Sequence, residues 1–92
     1  MSIQWLFDVI EDRNTNPSEG SYTSSLFRAG LPKIAQKVGE EGTEVVVAAL
    51  AQDDQRLIEE VADLTYHTLV LLAARGLTPQ QVLAELEKRH RG

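Results

Sequence analysis

Cysteine is absent from this 92-residue chain. Its absence excludes a disulfide scaffold, a thiolate zinc site and a cysteine nucleophile, and is compatible with a reducing cytoplasm. Aromatic residues make up only 5% of the chain, with a single Trp. Long hydrophobic runs are missing too. The longest strongly apolar stretch, Leu69–Ala74, falls far short of the ~20 residues that span a bilayer. No basic segment followed by an apolar run opens the chain, so a soluble, unexported, cytoplasmic protein with no membrane partner is expected. The 42% apolar and 25% charged residues are the composition of one small globular domain, expected to span residues 1–92. A core this small leaves roughly 35% of the unfolded chain's surface exposed, so completion by oligomerisation is expected.

What the chain does have is negative charge, and it is concentrated. The net charge is −5, yet residues 40–63 alone hold eight of the fourteen acids and a single base. Such a window repels nucleic-acid phosphates, so no nucleic-acid partner is expected. A bound divalent cation would reverse the local sign.

Apolar residues recur at three- and four-residue intervals and no useful strand alternation appears, which predicts an all-α fold. A first helix is expected over Ile3 to Asp12, capped by Ser2, with Ile3, Leu6, Phe7 and Ile10 on one stripe and an end near Arg13. Residues 14–21 are dense in turn formers and read as a loop. Tyr22 to Ala29 predicts a short helix closed by Gly30, and Pro32 opens a long helix to about Gln52. Asp53 and Asp54 are candidate caps for a second long helix, about Gln55 to Arg75, stopped by Gly76. Thr78-Pro79 then starts a last helix with Val82, Leu83 and Leu86 on its apolar face. Two long helices joined by so short a turn must lie antiparallel. The expected architecture is a helical bundle built on this pair, with shorter N- and C-terminal helices, completed by dimerisation.

The buried stripe of the first long helix runs through Ile34, Val38, position 41, Val45 and Ala48, and position 41 is Glu. A lone carboxylate on an apolar stripe costs several kcal/mol to desolvate without compensation, and Glu44 stands one turn further along the same side. The second long helix repeats the pattern with Leu57, Glu60, Leu64, His67 and Leu71, and Asp63 lies one turn from both Glu60 and His67. Antiparallel pairing brings Glu41-x-x-Glu44 level with Glu60-x-x-Asp63. Four like charges inside one bundle force protonation or unfolding unless a cation sits among them, and hard oxygen ligands select Mg²⁺, with Mn²⁺ as the alternative. A di-iron bundle would need Glu-x-x-His on two helices, which this chain lacks. Glu40 and Glu59 read as solvated neighbours.

The segment Ser21-Tyr22-Thr23, the run Lys37-Val38-Gly39-Glu40-Glu41-Gly42-Thr43-Glu44-Val45-Val46 and the run Glu60-Val61-Ala62-Asp63-Leu64-Thr65-Tyr66-His67 resemble the phosphoribosyl-ATP pyrophosphohydrolase family of histidine biosynthesis. The paired acids alone mark the wider all-α, MazG-like nucleotide pyrophosphohydrolases; the Ser-Tyr-Thr segment and the Asp-Leu-x-Tyr-His end narrow the resemblance. It covers nearly the whole chain and matches the stand-alone form, since the fused form carries a cyclohydrolase with a cysteine zinc site. The resemblance implies Mg²⁺-dependent hydrolysis of the α–β phosphoanhydride of phosphoribosyl-ATP to phosphoribosyl-AMP and pyrophosphate. Glu41, Glu44, Glu60 and Asp63 would hold the metal, and Glu41 or Glu40 would take the proton of the attacking water.

Other residues carry two readings each. Arg28, Lys33 and Lys37 are candidates for the substrate phosphates, although Lys37 is also spaced for a helical salt bridge with Glu41. Ser21 and Thr23 could contact phosphate or ribose, or could cap the helix that follows them. Tyr22 could anchor the loop, and His67 could orient a carboxylate from behind the metal or be a satisfied core histidine. A homodimer is expected, because Val45-Val46-Val47 and Leu69-Val70-Leu71-Leu72 are too broad for one helix stripe. Two other functions fit the same acids: a house-cleaning nucleoside triphosphate pyrophosphohydrolase, and a non-catalytic helical module contacting a basic partner.

Overall fold

The computed structural model describes residues 1–91, and every regular element in them is a helix: α1 (Ile3–Thr15), α2 (Tyr22–Ala29), α3 (Leu31–Ala51), α4 (Asp54–Ala74) and α5 (Pro79–Arg89). The expected all-α architecture is the one observed. α3 and α4 make the largest interhelical contact and, joined through Gln52-Asp53, run antiparallel. α1 lies against α4 and α2, α2 against α3, and α5 touches α1 lightly.

Local chemistry accounts for the helix ends. Ser2, Ser21, Asp53 and Thr78 each accept a backbone N–H three residues on, and Thr78 with Gln81 forms a reciprocal capping box. α4 closes in a Schellman motif: Gly76 has φ 70°, its N–H donates to the Ala73 carbonyl at 3.1 Å, and the Leu77 N–H donates to that of Leu72 at 2.8 Å. One end differs from expectation. α1 continues past Arg13 to Thr15, because the Asn16 N–H donates to the Asp12 carbonyl at 2.7 Å while its side-chain amide donates to the Asp12 carboxylate at 3.0 Å. Asn14 and Thr15 thus complete a helical turn, and the loop shortens to residues 16–21.

The core is small. Phe7 and Ile10 of α1, Leu26 of α2, Ile34 of α3 and Leu69 and Val70 of α4 form it, with Leu6, Phe27, Tyr66 and Leu71 packed at its edge. The apolar excess of α4 is therefore largely absorbed within the chain. That of α3 is not, since Val46 and Val47 are exposed, as are Leu50, Ile58 and Val61 near the α3–α4 turn. The expected apolar face of α5 is also left uncovered: Val82, Leu83 and Leu86 are exposed, and only Pro79 of that helix is buried. The radius of gyration, 14.4 Å, exceeds the value of about 13 Å typical of even a 100-residue compact domain. No helix among the described residues is long and apolar enough to cross a membrane.

Candidate active site

The stripe that carries Ile34 and Ala48 into the core also carries Glu41, which is 6% exposed; on the facing helix Glu60 is 5% exposed. Burial of two carboxylates at one level of the α3–α4 pair follows from helical periodicity and the short turn. Asp63, one turn beyond Glu60, is exposed but directed to the same point. One carboxylate oxygen from each of Glu41, Glu60 and Asp63 lies within 4.8 Å of the others, the one such three-residue group among the described residues. Glu44, expected as a fourth member, is exposed and stands against Glu60 rather than inside the trio.

Two oxygens of this cluster, Oε2 of Glu41 and Oε2 of Glu60, are buried and have no hydrogen-bond partner. Unpaired buried acceptors are costly and rare in folded proteins, and charged ones more so. The other oxygens of Glu41 and Glu60 are partnered from outside the cluster. Lys37 Nζ lies 3.6 Å from Glu41 Oε1 and 3.5 Å from Glu40 Oε2, while Arg56 reaches Glu60 Oε1 at 2.6 Å and Glu59 Oε1 at 2.5 Å. The cluster thus presents unpaired, hard oxygen donors within reach of one another, and these fit a divalent cation.

The electrostatics agree with crowding. The neighbouring Glu44 carboxyl, then burial, raise the pKa of Glu60 against the opposing pull of Arg56. At the rim the direction reverses: Gln36 donates to Glu40 at 2.7 Å and, with Lys37, lowers its pKa, and Gln55 with Arg56 does the same for Glu59. Burial pulls Lys37 down, but the Tyr22 phenol and the Glu40 and Glu41 carboxylates outweigh it and leave its pKa raised.

His67 is buried with both ring nitrogens engaged. Nδ1 lies 2.8 Å from the backbone carbonyl of Asp63 and Nε2 lies 3.0 Å from the Tyr22 hydroxyl. A carbonyl only accepts, so Nδ1 carries a proton, and in the neutral ring Nε2 is then the acceptor for the Tyr22 O–H. His67 therefore supports the turn that holds Asp63 through its backbone and not through its carboxylate. Ser21 Oγ accepts from the Ser24 N–H at 3.1 Å as the cap of α2, and the Thr23 hydroxyl is hydrogen-bonded to that of Tyr66. Arg28 ends α2 and Lys33 begins α3, both exposed and neither in an ion pair with another described residue.

A phosphoribosyl-ATP pyrophosphohydrolase family model matches residues 4–90. The chain belongs to that family. Its relatives include proteins named phosphoribosyl-ATP pyrophosphatase from Lacticaseibacillus casei strain BL23, 57% identical over 96% of this chain and 80% of that protein. One from Clostridium botulinum strain Hall is 51% identical over 95% and 79%, and one from Sulfurisphaera tokodaii is 52% identical over 91% and 89%. This phosphoribosyl-ATP pyrophosphohydrolase family member carries two residues at the site that sequence reasoning did not single out as binding groups. Arg56 was signalled only by being the lone base of the acidic window, three and four residues before Glu59 and Glu60. Tyr66 stands in the Asp-Leu-x-Tyr-His end that carries the resemblance, but its contact with Thr23 bridges helices far apart in the chain and has no local signal.

Proposed function

We propose that this chain hydrolyses the α–β phosphoanhydride of phosphoribosyl-ATP to phosphoribosyl-AMP and pyrophosphate in histidine biosynthesis, with Mg²⁺ or Mn²⁺ as cofactor, in the cytoplasm. The observation that carries the reading is the pair of buried, partnerless oxygens on Glu41 and Glu60 beside Asp63, in a chain of this family. Glu41, Glu60 and Asp63, with Glu44 alongside, would hold the metal, which when bound supplies Lewis-acid charge at the triphosphate and acidifies a neighbouring water. With Oε2 of Glu41 given to the metal, the two expected proton acceptors are Glu41 through Oε1, 3.6 Å from Lys37, and Glu40, which accepts from Gln36 and Lys37. One of them would take the proton of the attacking water as the water oxygen bonds to the α-phosphorus and the bond from that phosphorus to the bridging oxygen breaks. Pyrophosphate leaves. Lys37, between Glu40 and Glu41, with the unpaired Lys33 and Arg28 of adjoining turns, offers ammonium and guanidinium groups to the phosphates. Ser21 and Thr23 contribute by fixing the backbone of the α2 start.

A homodimer belongs to the same proposal. Its support is the uncovered apolar surface of α3–α4 and of α5, together with a radius of gyration above that of a closed domain. The activity is tested by release of pyrophosphate from phosphoribosyl-ATP, dUTP and ATP at equal Mg²⁺. Preference for phosphoribosyl-ATP, lost in Asp63→Asn while the helical fold persists, is the expected result. Preference for dUTP or ATP would overturn the substrate assignment, metal-independent hydrolysis would overturn the metal assignment, and absence of hydrolysis would overturn the enzyme assignment.

A further inference from the structure

The Ser21-Tyr22-Thr23 segment divides its work in a way its sequence did not reveal. The Ser21 hydroxyl is used in capping α2, and that of Thr23 is used on Tyr66. Each hydroxyl is committed to one such bond and keeps capacity for another. Tyr22, between them, is held at its hydroxyl by His67 Nε2, and its ring stacks on Tyr66 with centroids 6.3 Å apart at 27°, yet the residue remains 52% exposed. A ring clamped at its tip and backed by a second aromatic, with its remaining surface open, is a preorganised stacking platform. It also lies next to the carboxylate cluster. Its anchor His67 is one helical turn, about 5.4 Å, from Asp63, to whose carbonyl it is bonded. The platform therefore borders the carboxylate cluster at the turn that holds Asp63.

We propose that Tyr22 is the base-stacking residue of the site, its open ring face taking the purine of the bound nucleotide while Ser21, Thr23, Tyr66 and His67 hold it in place. The inference rests on the proposed function for the identity of the nucleotide, and on the geometry alone for the platform. Every base has a π-face, so the contact fixes where the nucleoside lies and adds affinity without reading the base edge.

Steady-state kinetics with phosphoribosyl-ATP, and calorimetric binding of AMP and of pyrophosphate in Mg²⁺, test it on wild type, Tyr22→Phe and Tyr22→Ala. Tyr22→Ala is expected to raise KM and to weaken AMP at least about fivefold, the low end for one lost base–aromatic stack, with kcat and pyrophosphate affinity little changed. Tyr22→Phe, which keeps the ring and loses the hydroxyl, is expected to stay within about threefold of wild type. Equal losses in the two variants, or equal loss of AMP and pyrophosphate, would mean that the hydroxyl tie is structural and would overturn the proposal. In the wild-type protein, nuclear Overhauser contacts between the Tyr22 ring protons and the purine H2 or H8 of bound AMP are expected whether or not Tyr22→Ala folds. Their absence would overturn the proposal too. The AMP measurements need no turnover, so failure of the wild type to hydrolyse phosphoribosyl-ATP would count against the proposed function alone.

Discussion

Replacing Glu41 by Gln should stabilise the metal-free protein. Glu41 is 6% exposed, its Oε2 has no partner, and its neighbours across the helix pair are the carboxylates of Glu60 and Asp63. Gln has nearly the same shape, removes one charge and brings an amide N–H₂ that can donate to those carboxylates; a hydrogen bond to a charged group contributes about 1.5–3 kcal/mol. Against this stands the loss of Lys37, whose Nζ is 3.6 Å from Glu41 Oε1; a partly exposed helical pair of that length contributes at most about 1 kcal/mol. The balance is a gain of about 1 kcal/mol, which for a domain of this size raises Tm by about 4–8 °C. Added metal should invert the order. Wild type would gain about 2.7 kcal/mol at a Mg²⁺ concentration one hundred times Kd, and Glu41→Gln, short of a ligand, much less. Thermal unfolding followed by circular dichroism, in chelator and then in excess Mg²⁺ or Mn²⁺, reads both halves. A Glu41→Gln protein less stable than wild type in chelator would mark Glu41 as an ordinary ion-pair partner of Lys37 and refute the reasoning, as would equal stabilisation of the two proteins by metal.

Three other perturbations have definite signs. The pKa of Glu60 is raised above 4.5 in the folded chain, chiefly by Glu44, so between that value and its native pKa the native state binds more protons than the unfolded state. Its contribution to stability is complete below about pH 4.5 and is lost as pH rises through the native pKa; urea midpoints of metal-free wild type should accordingly fall relative to Glu60→Gln on going from acid to neutral pH, and a gap of constant size would contradict this. Leu83→Glu, on the uncovered face of α5, should shift sedimentation from dimer toward monomer with little change in helicity, since Leu83 is 57% exposed within the chain; an unchanged sedimentation coefficient would exclude that face from the interface. Two glycines should respond oppositely to alanine: Gly39, in mid-α3 with no atom within 4 Å of an added Cβ, should gain about 0.4–1 kcal/mol, whereas Gly76, at φ 70°, should lose about 1 kcal/mol, both read as shifts in denaturant midpoint.

Much of this molecule was legible because its signals are local. Capping residues and Gly76 marked the helix ends, and the stripes of the two long helices put Glu41 and Glu60 in the interior on periodicity alone. The short Gln52-Asp53 link then required the acids to meet. Side-chain direction was less accessible: Glu44 is a turn from Glu41 and equally acidic, yet it packs against Glu60 instead of closing the trio. The longer reach of α1 has no sequence signal, because Asn16, a turn former by type, here closes the last turn through Asp12. The contacts of Tyr22 with His67 and of Thr23 with Tyr66 span more than forty residues of chain, so nothing in local spacing could announce them.

The proposed hydrolysis requires that Glu41, Glu60 and Asp63 share one divalent cation. Crystals soaked in Mn²⁺ and measured at the manganese absorption edge locate that ion. An anomalous peak in contact with oxygens of all three carboxylates is expected, at the distance of about 2.0–2.3 Å typical of hard divalent ions. No peak at the cluster, or a peak bound only by exposed acids elsewhere on the molecule, would contradict it.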